Sequence, residues 1–191
     1  MSDPVSRPSV GVAVNHLVLN VRDIDASHRF YTEVLGFEQC GQLRPRGNVP
    51  ARDMRFYRGQ GHADHHHDLA LISVPNPSTD AAMDKWSMAH TRLGVNHIAM
   101  AYPDREAFLA QLAHLKSMGV EFLVRGNHGM THSVYIADPD GNGIEVLYEV
   151  PTDVWEGDVD AALSYFEILP LDGPESLEDT TDYHRFAPAS A

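Results

Sequence analysis

Three side chains set the chemical problem: His16, His97 and Glu145. VNHLVLNV at 14–21 and VNHIAMAY at 95–102 both open on Val-Asn-His, which puts the two histidines at the same position of two apolar, strand-like runs. One histidine on an apolar strand usually reads as core. Two at matched positions of a repeat read as a pair facing one centre. Glu145 lies in IEVLY, a run otherwise suited to a buried strand, and a buried carboxylate is costly unless it is paired or meets a cation. Two imidazoles and one carboxylate form the facial set associated with non-haem Fe(II), which leaves open coordination positions for reactants.

Each Val-Asn-His run is followed by the same kind of pattern. In the first copy, Ile24, Phe30, Tyr31, Val34 and Leu35 fall near helical spacing after an acidic start at Asp23. In the second, Phe108, Leu109, Leu112 and Leu115 share a face, and the pattern ends at Gly119. Three strand-like runs come next in both: FEQCGQL, MRFYRGQ and HDLALISV, then VEFLVRG, HSVYIAD and GIEVLYEV. The expected fold is α+β, with paired βαβββ modules forming a cupped mixed sheet around a metal site. The expected boundaries are a first module over 12–75, a linker over 76–94, a second module over 95–150 and a C-terminal extension over 151–191. VDAALSYFEIL at 159–169 reads as a short amphipathic helix, followed by an acidic, proline-containing arm.

The repeat also says where a fourth ligand would stand. Matching the Val-Pro endings of DLALISVP and GIEVLYEVP sets Leu69 opposite Glu145, and a one-residue slip gives Ala70. Neither side chain binds a metal. DPDG at 138–141 is turn chemistry, and a turn centred near Asp140 pairs Tyr135 with Glu145. His132 has the wrong parity for that face of a regular strand. It reaches the site only if Gly129 and the preceding loop bend the strand entrance inward.

Composition narrows the partners. A formal charge of −13 argues against nucleic acid and against an anionic membrane surface, both of which call for Lys and Arg. The single cysteine, Cys40, excludes an internal disulfide and a cysteine-rich zinc site. No apolar run approaches the roughly 18–20 residues of a membrane span, and MSDPVSRPSV lacks a secretory apolar segment, so a cytoplasmic protein is expected.

The segment H-x-x-Y-x-x-D-P-x-G-N-x-x-E, His132 to Glu145, resembles the signature of the type I extradiol ring-cleavage dioxygenases. The paired modules over roughly residues 12–150 resemble the wider vicinal oxygen chelate superfamily of glyoxalases, bleomycin resistance proteins and dioxygenases. Among its members, the small two-module 2,3-dihydroxybiphenyl 1,2-dioxygenases are the nearest match. The resemblance implies His16, His97 and Glu145 as ligands of Fe(II), with Mn(II) as the alternative metal. It implies His132 and Tyr135 as hydrogen-bond partners of bound substrate. HHDLALI resembles the strand that bears the acid–base histidine, which makes His67 that residue and leaves His65 and His66 as a solvated cluster. The implied substrates are a catechol, such as 2,3-dihydroxybiphenyl, and O2, in a homo-oligomer. Two rival readings use the same scaffold: a metal-dependent isomerase, lyase or epimerase of the glyoxalase kind, which wants a fourth ligand, and a non-catalytic drug-binding protein, which needs no metal. Phe56, Trp86 and Met88 are candidate pocket walls.

Overall fold

A computed structural model of the chain describes residues 14–44, 53–62, 64–74, 86–89 and 94–187. The chain divides into two compact units, Met1–Asn76 and Pro77–Ala191. The first contains β1 (Leu17–Val21), α1 (Ile24–Arg29), β2 (Glu38–Gln42), β3 (Met54–Arg58) and β4 (Leu69–Ser73). The second contains β5 (His97–Ala101), α2 (Arg105–Ser117), β6 (Val124–Asn127), β7 (Thr131–Ala137) and β8 (Gly143–Glu149), then α3 (Val159–Leu163) and β9 (Glu167–Ile168). The sheets run β1-β4-β3-β2 and β5-β8-β7-β6-β9. In each, the first strand pairs in parallel with the last strand of its module, and the remaining pairs are antiparallel. The βαβββ order therefore occurs twice, on two mixed sheets of an α+β fold.

Both helices begin at an aspartate, the first at the expected Asp23. Asp23 accepts from the backbone N–H groups of Asp25 and Ala26, and Asp104 accepts from Ala107, which satisfies donors that a helix N-terminus leaves free. After Arg29 the first helix widens into a π-helical turn over Phe30–Val34. In the second unit, Phe108, Leu112 and Leu115 of α2 are fully buried, as are Val134, Ile136, Ile144 and Val146 of the sheet. Each such side chain contributes roughly 1.5–3 kcal/mol by leaving water. The Phe108 and Tyr148 rings meet at 5.2 Å, so α2 covers the face of β8 that carries the even-numbered residues. The odd-numbered face is left for Glu145 and its neighbours.

The DPDG turn is held by Asp138. Its carboxylate accepts from the backbone N–H groups of Asp140 and Asn142 at 2.9 and 2.8 Å, and from the Asn142 amide at 2.9 Å. That closure sets Tyr135 opposite Glu145, the expected register.

The C-terminal segment differs from expectation. The helix read over 159–169 stops after Leu163. Asp158 caps its start, the Ser164 hydroxyl turns back to the Asp160 carbonyl, and β9 then adds to the edge of β6. The segment thus completes the second sheet. Of the expected linker 76–94, only residues 86–89 and 94 are among the described residues.

Candidate metal centre

Each Val-Asn-His run does the same thing locally. His16 Nδ1 lies 2.7 Å from the Asn15 side-chain oxygen, and His97 Nδ1 lies 2.8 Å from that of Asn96. An amide oxygen only accepts, so each imidazole donates to it from Nδ1 and turns its Nε2 edge the other way. This is how metal-binding histidines are commonly prepared: one nitrogen donates to an oxygen while the other keeps its lone pair. The asparagine in front of each repeated histidine therefore orients its ring.

In the second unit, His97 Nε2 lies 3.1 Å from Glu145 Oε2. Pairing of His97 with Gly143 and of Ala99 with Glu145 puts both side chains on one face of adjacent parallel strands. Glu145 is 6% exposed, a depth at which a carboxylate needs partners. Its other oxygen, Oε1, accepts from the Tyr135 hydroxyl at 2.8 Å. Burial pushes the Tyr135 phenol far above its ordinary range, and the Glu145 charge adds to the rise, so the hydroxyl remains a donor at all ordinary pH values. The Trp86 indole stacks on the Tyr135 ring at 5.3 Å and 7°, and its N–H donates to the Asn96 carbonyl at 2.6 Å. Trp86 thus walls this face. It can lie there because Gly143 has no side chain: a Cβ at that position would collide with the indole.

In the first unit, the His67 ring lies 4.5 Å from that of His16 and 4.9 Å from that of Phe56. Burial lowers the His67 pKa, and the neighbouring imidazoles of His16 and His66 lower it further, so its ring is neutral at pH 7. His67 Nδ1 is 2.6 Å from His66 Nδ1. The register also decides between the two candidates for a fourth ligand. Val18, two residues after His16, pairs with Ala70 as Ala99 pairs with Glu145. Ala70 is fully buried and offers no donor.

His132 departs from expectation. The strand is not bent at its entrance, so His132 follows the parity of Val134 and Ile136 and points to the face away from Glu145. There it is 2% exposed, and its Nδ1 bonds both oxygens of Asp179 at 2.8 and 2.9 Å. The histidine that reaches Tyr135 is His128, whose Nε2 lies 3.0 Å from the phenol oxygen. Burial lowers the His128 pKa, partly offset by the nearby Glu145 charge. The signal was present in the sequence. With Gly129 at φ +75° as the tight turn, the β6–β7 hairpin pairs 128 with 131, which has the parity of 135.

The donor types fit a divalent metal: an oriented imidazole in the first unit, and an imidazole beside a buried carboxylate in the second. A model of the Glyoxalase/Bleomycin resistance protein/Dioxygenase superfamily matches residues 13–146. The chain belongs to this superfamily. Its enzymes are metal-dependent, with iron, manganese or zinc in different members. The chain is 27% identical over 145 residues to a catechol-2,3-dioxygenase of Bacillus subtilis, covering 76% of this chain and 44% of that protein. It is 28% identical over 164 residues to a lactoylglutathione lyase of Pseudomonas putida, covering 72% of this chain and 85% of that one. The chain thus spans less than half the length of the Bacillus relative. A glyoxylase/bleomycin resistance protein/dioxygenase domain from Frankia sp. EAN1pec has the same fold, with a TM-score of 0.57 at 20% identity over 74% of this chain and all of that one. Among the described residues, no helix is long and apolar enough to cross a membrane.

Proposed function

We propose that this protein is an extradiol dioxygenase that opens a catecholic ring with O2, using Fe(II) held by His16, His97 and Glu145. The observation that carries the reading is the matched pair of Asn-His hydrogen bonds, one in each module, with His97 beside a buried Glu145 in the second. The absence of a donor at Ala70 supports three protein ligands rather than four. That leaves room for a substrate with two adjacent oxygens and argues against the glyoxalase-type alternative. When bound, iron would supply the electron exchange that lets a catechol and O2 react.

The chain's own groups supply binding and proton transfer. His67, neutral at pH 7 and beside His16, has a nitrogen able to take a proton from a catechol hydroxyl and later return it. Tyr135 stays protonated and turns its hydroxyl from Glu145 to a substrate oxygen. His128 donates to the Tyr135 oxygen, which orients the phenol. We assign the second proton-handling role to His128 and a structural one to His132. Trp86 and Phe56 supply apolar walls for an aromatic ring.

The test is anaerobic reconstitution with Fe(II), followed by 2,3-dihydroxybiphenyl or catechol in air. Prompt formation of a yellow ring-opened product is expected. Iron-loaded protein that leaves a panel of catechols intact, yet converts a glutathione hemithioacetal, would overturn the reading in favour of an isomerase.

A further inference from the structure

The loop between β3 and β4 has a second cluster of metal donors that the proposed centre does not use. His62 Nδ1 and His65 Nδ1 each lie 2.9 Å from the same oxygen of Asp68, and the three donor atoms all lie within 4.8 Å of one another. Donors around a tetrahedral ion with bonds of about 2.1 Å stand roughly 3.4 Å apart, so small side-chain movements suffice to admit one. Asp68 is fixed in place, because its other oxygen accepts from the Gly59 N–H at 2.8 Å. The Asn15 amide N–H donates to His65 Nε2 at 3.1 Å, so a metal at Nδ1 requires the ring proton to leave that nitrogen and the Asn15 amide to turn aside. The stretch GQGHADHHHD has two aspartates, four histidines and no Lys or Arg.

We propose that His62, His65 and Asp68 form a separate, exchangeable site for a zinc-like divalent metal. Imidazole and carboxylate donors with open positions suit zinc, nickel and copper, and zinc bound there takes water as a further ligand. All three donors come from seven consecutive residues, and the His62 side chain is 62% exposed, so the ion is in contact with solvent and readily lost to a chelator. Its structural effect is to tie down the loop that carries His67. The assignment does not depend on the proposed dioxygenase activity, since none of its ligands belongs to the His16, His97 and Glu145 set.

The test uses the full chain carrying Glu145→Gln, which disables the other candidate site, stripped of metal and titrated with zinc against a chromophoric chelator. That chain should bind one zinc. Adding His62→Gln and His65→Gln should abolish this binding, while unchanged far-UV circular dichroism shows that the fold survives. In histidine-selective NMR, zinc should shift the His62 and His65 ring signals before any other. Zinc binding that persists in the triple variant, or a Glu145→Gln chain that binds none, would overturn the proposal.

Discussion

His97 Nε2 and Glu145 Oε2 stand 3.1 Å apart on neighbouring parallel strands, each with its remaining polar atom already engaged. His97 donates from Nδ1 to Asn96, and Glu145 accepts at Oε1 from Tyr135. These two atoms meet only each other, and the side chains around them hold them there.

The Asn-His pairs should matter to metal affinity without contributing a ligand. Asn15→Ala and Asn96→Ala should each weaken Fe(II) binding by roughly 10–100-fold, the usual effect of losing an oxygen that orients a ligating histidine. Asn→Asp at either position should retain most of the affinity, because it keeps the acceptor. Competition with a chromophoric chelator under nitrogen measures both.

Two histidines four residues apart should give opposite phenotypes. His128→Gln should slow catechol turnover by roughly 10²–10⁴-fold with iron content retained, in keeping with loss of a proton-handling group. His132→Gln should leave the iron in place and lower thermal stability instead, since it breaks a pair whose two side chains are each 2% exposed. Leaving a buried acceptor without its hydrogen-bond partner costs about 1–3 kcal/mol. Steady-state kinetics and thermal melts on the same preparations separate the two.

Stability should fall on the acid side through Asp179. Burial pushes its carboxyl up, but the hydrogen bond and charge of His132 and the hydrogen bond from Tyr148 leave it below the ordinary carboxylate range. A carboxyl whose folded pKa lies below its unfolded value stabilises the fold above the unfolded pKa and loses that contribution as pH falls through the folded one. The melting temperature of the wild-type chain should therefore lose an Asp179-dependent increment below about pH 4. Asp179→Asn should lack that increment at neutral pH and show a shallower acid limb. Identical acid limbs would remove Asp179 from the account.

Gly143→Ala tests the wall over Tyr135. The added Cβ collides with the Trp86 indole, so Trp86 must leave its stack on Tyr135. Its fluorescence should shift to longer wavelength, and a catechol should bind more weakly. Gly143→Ala combined with Trp86→Ala should relieve the clash, so the two changes should be non-additive in stability.

How far the sequence reached can be argued from particular residues. The Asn-His repeat, the acidic start at Asp23 and the DPDG turn are local signals, and they suffice for the βαβββ order and for the Tyr135–Glu145 pairing. The choice between Leu69 and Ala70 needed strand register, which the Val-Pro endings left one residue uncertain and the parallel pairing of β1 with β4 decides. His128 escapes because its parity shows only once Gly129 is taken as a tight hairpin turn rather than as part of a loop. The C-terminal segment escaped for a different reason. Asp179 finds its partner 47 residues back in the chain, and Arg125 donates to the carbonyls of Glu175 and Glu178; no period or turn in the sequence announces such contacts. The segment's polar character made it look like an extended arm, when those polar groups are what dock it.

The most direct test of the central claim is the iron content of single variants after anaerobic loading and gel filtration. Wild type should retain one Fe(II) per chain, while His16→Ala, His97→Ala and Glu145→Gln should each retain almost none with the fold intact. Full iron content in any one of the three would contradict a shared three-ligand centre.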